Sequence, residues 1–428
     1  MIMSCDCSSE YPSVAAPIRS GRSLDQKIAS IRANPSGAKD FILADAKDAD
    51  MAAGLAATGT DPVTGKPRSL NDYRDQMRQI VKQGLVDIML MSASTSEVLT
   101  IKERLFESSR VTPAVRANDT TDIHLMAGST FAAEPSRPFR SVTIEQIQSG
   151  KINPTTEERR LGADLGLYSI TPNNRIEFDY ATLDAYRQFR VEAELKGLRH
   201  FLEVFDPNAC GQSCPMDLGR YINDLIVRTL AGVPSSGRPL FLKIAYHGPK
   251  AMQDLVAYDP TLIPGILGGS SGTTHDAFNL LEEARRHGAR AALFGRKINN
   301  SEHQLTFVTH LHAIANGHLS ADEAVKAYHG ELEKLKIKPY RPLKEDLELT
   351  TTATSYGGAS SAVSLAGKPK SRKGAEAMPP RTSAPSASRA AYPTKADGSI
   401  DFKNMSGVQK VAYARERIRS ELTPANHR

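Results

Sequence analysis

The sequence predicts an α/β fold of the (β/α)8-barrel class. Eight short apolar runs recur between residues 24 and 345 of the 428-residue chain, and amphipathic segments of helical period follow nearly all of them. Strands and helices that alternate in this way build a parallel sheet, and eight such units close it into a barrel. A barrel of this length folds as one domain.

Each predicted element rests on its own local pattern. The predicted strands are residues 41–45, 87–91, 112–116, 164–169, 200–205, 239–245, 263–268 and 290–294. The predicted helices are residues 70–85, 95–108, 180–198, 217–231, 249–257, 274–287 and 302–316. The pattern is clearest at 276–287, where apolar residues recur at helical spacing and Gly288 ends the run. Residues 117–160 are long, polar and proline-containing, which predicts an insertion after the third strand.

The two ends of the chain differ in composition from the barrel segment. Residues 1–23 show no periodic pattern and predict an irregular segment. Residues 346–428 are rich in Ser, Ala, Gly and Pro, a composition that cannot bury a core, so we expect a disordered tail with a short helix at about 406–421. Residues 351–428 hold 13 Lys and Arg against 5 Asp and Glu, a net charge of +8. Because the whole chain carries +6, residues 1–350 carry −2.

This charge distribution argues against nucleic-acid binding by the barrel, although contact of the basic tail with an anionic partner stays open. No apolar run approaches the ~20 residues that a membrane helix needs, and the first 23 residues lack the apolar segment of a signal peptide. Four cysteines are too few for a disulfide scaffold. We therefore expect a cytoplasmic protein without membrane association, and homo-oligomer formation stays open.

Three predicted strands each contain an ionisable residue at the end where barrels gather their active sites. Asp45 ends the first strand, Glu203 lies within "FLEVF", and Lys243 lies within "LFLKIAY". A buried ammonium group is costly unless it is paired or neutralised. An amine whose charged form is disfavoured can attack a ketone and form a Schiff base, while nearby carboxylates move the protons. The alternative is a structural salt bridge between Lys243 and Glu203.

The ends of the seventh and eighth strands predict a phosphate site. The run "GGSSG" at 268–272 exposes backbone N–H groups ahead of a helix that begins near Thr274, and a Gly-Arg pair follows the eighth strand. Barrels commonly bind phosphate at this place. Alternatively, the glycines only close a tight loop. The residues assigned to phosphate binding are Gly268, Gly269, Ser270, Gly295 and Arg296.

The last three strands resemble those of class I aldolases of the DeoC/LacD type, the group that contains tagatose-1,6-bisphosphate, sulfofructosephosphate and archaeal-type fructose-bisphosphate aldolases. The stretch "GILGGSSGTTHDAFNLLEEARRHGARAALFGRKI" is similar to the family's final phosphate-binding unit, and "LFLKIAY" is similar to the strand that carries its Schiff-base lysine. The resemblance covers residues 38–318. It implies that Lys243 is the nucleophile.

The resemblance also implies roles for residues on other strands. "HFLEVF" places the family's catalytic glutamate on Glu203, and "LADAKDADM" places its aspartate on Asp45 and its arginine on Lys47, at the far end of the substrate. The family needs no metal and no organic cofactor. Its strand-4 lysine has Asp164 as the nearest match here, and this reversed charge argues against a standard ketose 1,6-bisphosphate.

The sequence thus predicts a carbon–carbon lyase acting on a phosphorylated ketose or related sugar phosphate. One alternative is a phosphate-binding barrel that isomerises or decarboxylates its ligand with Lys243 as acid, base or charge stabiliser. Another is a barrel without activity that works as a binding module. Cys210 and Cys214 are spaced for a regulatory disulfide or, with further ligands, for zinc. Tyr246 and His247 are minor site candidates because they follow Lys243.

Overall fold

The computed structural model describes residues 21–61, 64–269 and 272–350, together with positions 393, 395, 400, 401, 404, 405 and 409. The chain divides into two units, Met1–Leu365 and Ala366–Arg428. In the second unit the backbone N–H of Asp401 donates to the carbonyl of Pro393 at 2.8 Å. The helix predicted at about 406–421, most of the predicted tail and residues 1–20 of the predicted irregular segment lie outside the described residues.

Eight parallel strands close into a barrel, which confirms the predicted fold class. Each strand pairs with its two neighbours in chain order, and the eighth pairs with the first. All eight fall on the predicted apolar runs. The strands are β1 (Ile42–Lys47), β2 (Ile88–Met91), β3 (Thr112–Arg116), β4 (Leu165–Ile170), β5 (Arg199–Val204), β6 (Leu242–Ile244), β7 (Gly265–Leu267) and β8 (Ala291–Phe294).

Helices surround the barrel, and α1 covers its amino end. They are α1 (Ser23–Ala33), α2 (Leu70–Gln83), α3 (Ala93–Ser96), α4 (Ile144–Ser149), α5 (Ile176–Lys196), α6 (Leu218–Ala231), α7 (Pro249–Tyr258), α8 (Thr274–Arg286), α9 (Arg296–Asn299), α10 (Gln304–Ala315), α11 (Ala321–Lys334) and α12 (Leu343–Asp346). A π-helical turn, Glu97–Lys102, continues α3. The seven predicted helices are all present, whereas α1, α4, α9, α11 and α12 were not predicted. Within the described ranges, no helix combines the length and the apolar composition that crossing a membrane requires.

Strand residues alternate between the barrel interior and an outer layer beneath the helices. On β1, Ile42 and Ala44 belong to the inner apolar cluster, whereas Leu43 belongs to the outer one. Helix α1 closes the amino ends of the strands, because its Leu24 and Ile31 are buried in the inner cluster. The opposite end, where the strands finish, is therefore the end that can receive a ligand.

The predicted insertion lies between β3 and β4. Its described part includes a two-residue antiparallel ladder, in which Asp119 pairs with Phe139, and helix α4. The backbone N–H of Leu125 donates to the carbonyl of Ala52 at 2.7 Å, which joins the insertion to the loop after β1. Both segments therefore contribute to the rim at the carboxyl ends of the strands.

Residues after α11 cap the amino end of α8. The carboxylate of Asp346 accepts a hydrogen bond from the backbone N–H of Thr274 at 2.8 Å and lies 2.9 Å from His329 Nε2. The backbone N–H of Thr350 donates to Asp276 at 2.9 Å. A carboxylate at this position satisfies helix donors and is favoured by the helix dipole. The packed part of the chain therefore extends to Thr350, beyond the boundary at 345 that composition indicated.

We expect the substitution Asp346→Ala to lower the free energy of unfolding by about 1–2 kcal/mol, because it leaves the buried N–H of Thr274 without its acceptor. Chemical denaturation measures this change. The control is Glu345→Ala, an exposed neighbour on the same helix, which should stay within about 0.5 kcal/mol of the unaltered protein. Equal stability of the two variants would show that the cap contributes nothing.

Candidate active site

A cavity with about 900 Å³ of empty space opens to solvent at the carboxyl ends of the strands. Barrel enzymes carry their reactive groups at this end. Of the residues assigned from the sequence, six line the cavity: Glu203, Lys243, Gly268, Gly269, Gly295 and Arg296. The fifth residue assigned to phosphate binding, Ser270, lies outside the described residues.

Lys243 and Glu203 meet inside the barrel. They are register partners on β6 and β5, and each follows by two positions a phenylalanine of the inner cluster, Phe241 and Phe201. Because side chains two positions apart in a strand share a face, Lys243 and Glu203 also point into the barrel. Lys243 Nζ lies 2.5 Å from Glu203 Oε1, and the side chains are only 8% and 1% exposed. The pair is a buried salt bridge, and it also sets a proton acceptor directly on the amine.

The other carboxylate oxygen of Glu203 is held by two donors. Ser169 Oγ donates to Oε2 at 2.6 Å, and Arg116 Nη2 donates to it at 3.2 Å. Ser169 is the register partner of Glu203 on β4, and its backbone N–H donates to Asn118 Oδ1 at 2.7 Å. These contacts leave the carboxylate one orientation, with Oε1 toward Lys243.

Asp48 and Arg116 extend this cluster across the mouth of the barrel. Arg116 Nε donates to Asp48 Oδ2 at 2.5 Å, and both residues line the cavity. Burial acts to raise the pKa of Asp48, but the positive charges of Arg116 and Lys243 outweigh it and hold that pKa below its ordinary value. Asp48 is therefore a carboxylate at neutral pH, and the four side chains of Asp48, Arg116, Glu203 and Lys243 carry no net formal charge.

The structure places Asp45 and Lys47 away from the cavity, contrary to their assignment from the sequence. Because Ala44 faces inward, Asp45 and Lys47 alternate to the outer face of β1, where both side chains are 0% exposed. Lys47 Nζ donates to Gln304 Oε1 at 2.8 Å and lies 3.8 Å from Asp45 Oδ2. The carboxylate that this segment delivers to the cavity is Asp48.

The match of the family's strand-4 lysine to Asp164 is also corrected. Asp164 precedes β4, at the amino end of the barrel, where its Oδ2 lies 2.8 Å from Arg199 Nη2. Arg199 also contacts Asp25 of α1 at 2.5 Å. The inward residue near the cavity end of β4 is Ser169. The negative charge of Asp164 therefore has no bearing on the ligand.

Backbone geometry at the ends of β7 and β8 requires glycine. A Cβ on Gly295 would lie 2.6 Å from the carbonyl oxygen of Ala46. Gly269 has φ +59°, in the left-handed region. The amino end of α8 is taken by carboxylates, since Asp346 accepts from Thr274, so it does not serve as the predicted anion site. What this corner offers an anion is its glycine backbone and Arg296.

Other candidates from the sequence lie outside the cavity lining. Cys210 and Cys214 form a disulfide, with Cα atoms 4.8 Å apart, in the loop after β5. His247 Nε2 lies 2.8 Å from Asp206 Oδ1. Tyr246 packs in the outer cluster, where burial raises its pKa to about 12. In the described part of the chain, no group of three or more His, Cys, Asp or Glu side chains is placed to hold a metal ion.

Sequence reasoning missed Asp48, Arg116 and Ser169. Arg116 ends the predicted third strand, "TPAVR". It is an ionisable residue within an apolar strand, which is the feature that made Lys243 a candidate. Asp48 lies four positions after the inward-facing Ala44, so strict alternation along "ILADAKD" places it on the inner face of β1 and Asp45 on the outer face. Ser169 had no signal of its own, because serine in a strand is common and carries no charge.

Solved structures with a similar fold include several aldolases. The fructose-bisphosphate aldolase from Slackia heliotrinireducens DSM 20476 is 15% identical, with a TM-score of 0.52 over 72% of this chain and 91% of that one. An archaeal fructose 1,6-bisphosphate aldolase is 14% identical, with a TM-score of 0.49 over 68% and 99%. No protein-family model matches the chain, and no curated protein matches it significantly. At such identities the likeness shows the shared barrel fold.

The buried pair on the outer face of β1 predicts a pH dependence of stability. Burial raises the pKa of Asp45 from 3.8 to about 6. Between these values the folded chain keeps a proton that the unfolded chain has lost, so this group's contribution to stability falls as pH rises from about 4 to about 6. We expect a loss on the order of 2 kcal/mol.

The measurement is the free energy of unfolding of the unaltered protein minus that of Asp45→Asn, at several pH values from 4 to 7. This difference should decrease with rising pH. The same difference taken with Asp224→Asn, an exposed carboxylate on α6, should stay flat. A flat profile for Asp45→Asn as well would contradict the assignment of a raised pKa.

Proposed function

We propose that this protein is a class I aldolase, a lyase that cleaves or forms a carbon–carbon bond in a phosphorylated ketose or related compound through a Schiff base on Lys243. The observation that carries the proposal is the buried contact of Lys243 Nζ with Glu203 Oε1 at 2.5 Å. The cavity that holds this pair also holds the glycine-rich corner with Arg296. The structural neighbour with a TM-score of 0.52 is a fructose-bisphosphate aldolase, which supports the same reading.

Imine formation begins with the transfer of a proton from the Lys243 ammonium to Glu203. The amine then attacks the ketone carbon, the carbonyl oxygen becomes a hydroxyl, and a carbinolamine results. Glu203 returns its proton to that hydroxyl, water leaves, and an iminium ion remains on Lys243. The positive iminium takes the place of the positive ammonium beside the ionised Glu203, so the buried pair keeps its charge balance.

Bond cleavage requires a base at the hydroxyl on the second carbon from the iminium carbon. We assign this role to Asp48, because it lines the cavity and is ionised beside Arg116. Asp48 takes the hydroxyl proton, the carbon–carbon bond breaks, and its electron pair moves to the iminium carbon side as an enamine while an aldehyde leaves. Asp48 then gives this proton to the enamine carbon, which restores the iminium and the Asp48 carboxylate, and hydrolysis of the iminium by water releases the ketone and restores Lys243.

The phosphate of the substrate is assigned to Gly268, Gly269, Gly295 and Arg296, with Ser270 kept as a predicted ligand. Backbone N–H groups and a guanidinium group are donors that suit phosphate oxygens. Because neighbouring strands lie about 4.8 Å apart, a phosphate held after β7 lies within a few bonds of a ketone on Lys243 of β6. The phosphate therefore belongs to the ketone half of the substrate.

Three further properties rest on the sequence alone. These are a cytoplasmic location, the assembly of identical copies, and contact of the basic segment 351–428 with an anionic partner. Each stays a prediction beside the proposed activity.

Reduction with borohydride tests the nucleophile. Incubation of the full chain with dihydroxyacetone phosphate and sodium borohydride should leave a reduced adduct on Lys243, located by peptide mass spectrometry, because only an imine is trapped in this way. Lys243→Arg should give no adduct. Lys250→Arg, which changes an exposed lysine on α7, should trap as the unaltered protein does. Absence of an adduct with a panel of phosphorylated ketones and aldehydes would remove the mechanism.

A matched pair of carboxylate variants tests the assignment of the base. Asp48→Asn should lower kcat for aldol cleavage by about 10²–10⁴, since it removes the proton acceptor from the cavity. Asp45→Asn, three positions away and on the outer face of β1, should lower kcat less than about tenfold. Steady-state kinetics at pH 7 measures both. A larger loss in Asp45→Asn would return the role to the residue that the sequence indicated.

A further inference from the structure

The wall of the cavity opposite the phosphate corner is apolar. β3 and β7 are four strands apart in the ring of eight, so the loops that follow them face each other across the mouth. The loop after β7 carries Gly268 and Gly269 of the phosphate corner. The loop after β3 instead contributes Ile123 and Leu125 to the cavity. The two sides of the mouth therefore offer a ligand opposite chemistry.

The loops after β1 and β5 add further apolar residues to this wall. Its members are Ala49, Ala52, Ala53, Ile123, Leu125 and Phe205. The hydrogen bond from the N–H of Leu125 to the carbonyl of Ala52, at 2.7 Å, joins the loop after β3 to the loop after β1. The side chains of the wall present carbon atoms to the cavity and no hydroxyl, amide or charged group. A sugar hydroxyl placed there would lose its hydration without gaining a side-chain partner.

The positive charges around the cavity argue against a second phosphate. Among the described residues that line it, the cations are Arg116, Lys243 and Arg296. Lys243 is the proposed nucleophile and Arg296 belongs to the phosphate corner. Arg116 contacts the carboxylates of both Asp48 and Glu203. A phosphate brought to Arg116 would meet these two negative charges at close range, which is unfavourable.

We propose that the substrate carries a single phosphate, on the ketone half, and that the aldehyde half is an uncharged alkyl or aryl aldehyde seated on the apolar wall. This inference rests on the proposed aldolase function. In the synthetic direction Asp48 takes a proton from the carbon next to the iminium, the resulting enamine carbon bonds to the aldehyde carbon, and the aldehyde oxygen takes that proton from Asp48 as the iminium re-forms. Water then hydrolyses the iminium and frees the product. Burial of an alkyl or aryl group against the wall is favourable, whereas burial of a charged group there is costly.

The test measures synthesis with dihydroxyacetone phosphate as the ketone and two kinds of aldehyde. One is apolar, 3-methylbutanal or benzaldehyde, and the other is glyceraldehyde 3-phosphate. We expect kcat/KM to be at least about tenfold higher for an apolar aldehyde, because a charged group gains no partner on the wall. This comparison uses the unaltered full chain, so it decides the question whatever the fate of any variant.

Two lysine substitutions sharpen the test. Leu125→Lys puts a positive charge on the apolar wall and should shift the ratio of kcat/KM values by at least about tenfold toward glyceraldehyde 3-phosphate. Leu55→Lys puts the same charge on the loop after β1, at a side chain that is 97% exposed and does not line the cavity. That control should leave the ratio unchanged. An equal shift in both variants would mean that general charge attraction sets the ratio, which counts against the proposal.

Borohydride trapping separates failure of this inference from failure of the proposed function. If the adduct forms on Lys243 and glyceraldehyde 3-phosphate is the better aldehyde, the apolar-aldehyde inference is overturned and the aldolase stands. If the adduct forms and neither kind of aldehyde reacts, the inference is likewise overturned. If no phosphorylated ketone is trapped, the aldolase function fails and the inference fails with it.

Discussion

The structure depends on keeping the Lys243 ammonium and the Glu203 carboxylate in contact where almost no water reaches them. Removing two charges from water costs several kcal/mol, and only close contact with further hydrogen bonds offsets that cost. The barrel meets this need through register: β5 and β6 set the two residues side by side, and β4 adds the hydroxyl of Ser169. Loss of Glu203 would leave Lys243 buried without this partner, whereas loss of Lys243 would leave Glu203 with Arg116 and Ser169. The register of β4, β5 and β6 in the closed sheet therefore holds this buried pair together.

Most of the barrel could be predicted because its signals are local. Apolar runs with intervening amphipathic segments indicated every strand, and isolated ionisable residues inside such runs indicated Lys243 and Glu203. The choice between Asp45 and Asp48 failed because it depends on which face of β1 meets the interior, and barrel closure decides that face. The cap on α8 by Asp346 could not be predicted from the sequence for another reason. Composition describes one segment at a time, so it cannot show that a carboxylate contacts a helix end 72 residues earlier in the chain.

Ring order also sets the order in which a substrate would meet the cavity. The glycines and Arg296 follow β7 and β8, the amine stands on β6, its carboxylate partner on β5, and Ile123 and Leu125 follow β3. Under the proposed function, phosphate, ketone, cleaved bond and aldehyde group then lie in that sequence across the mouth. The loop after β1 supplies Asp48 beside the cleaved bond and alanines beside the aldehyde group. The small side chains of these alanines leave room for the alkyl or aryl group of an uncharged aldehyde.

Under the proposed function, Arg116 balances the charge of the two carboxylates while protons move among them, the amine and the substrate. Its contacts with Asp48 and Glu203 complete a set of four side chains with no net formal charge. In the proposed cycle the proton of Lys243 moves to Glu203 and then leaves with water, and the hydroxyl proton moves to Asp48 as the iminium becomes a neutral enamine. Each proton moves between these side chains or between one of them and the bound substrate, and the summed charge of Asp48, Arg116, Glu203 and the Lys243 nitrogen stays at zero in each intermediate. Because isolated charge is what a low-dielectric cavity penalises most, a guanidinium that balances both carboxylates lowers the cost of every intermediate at once.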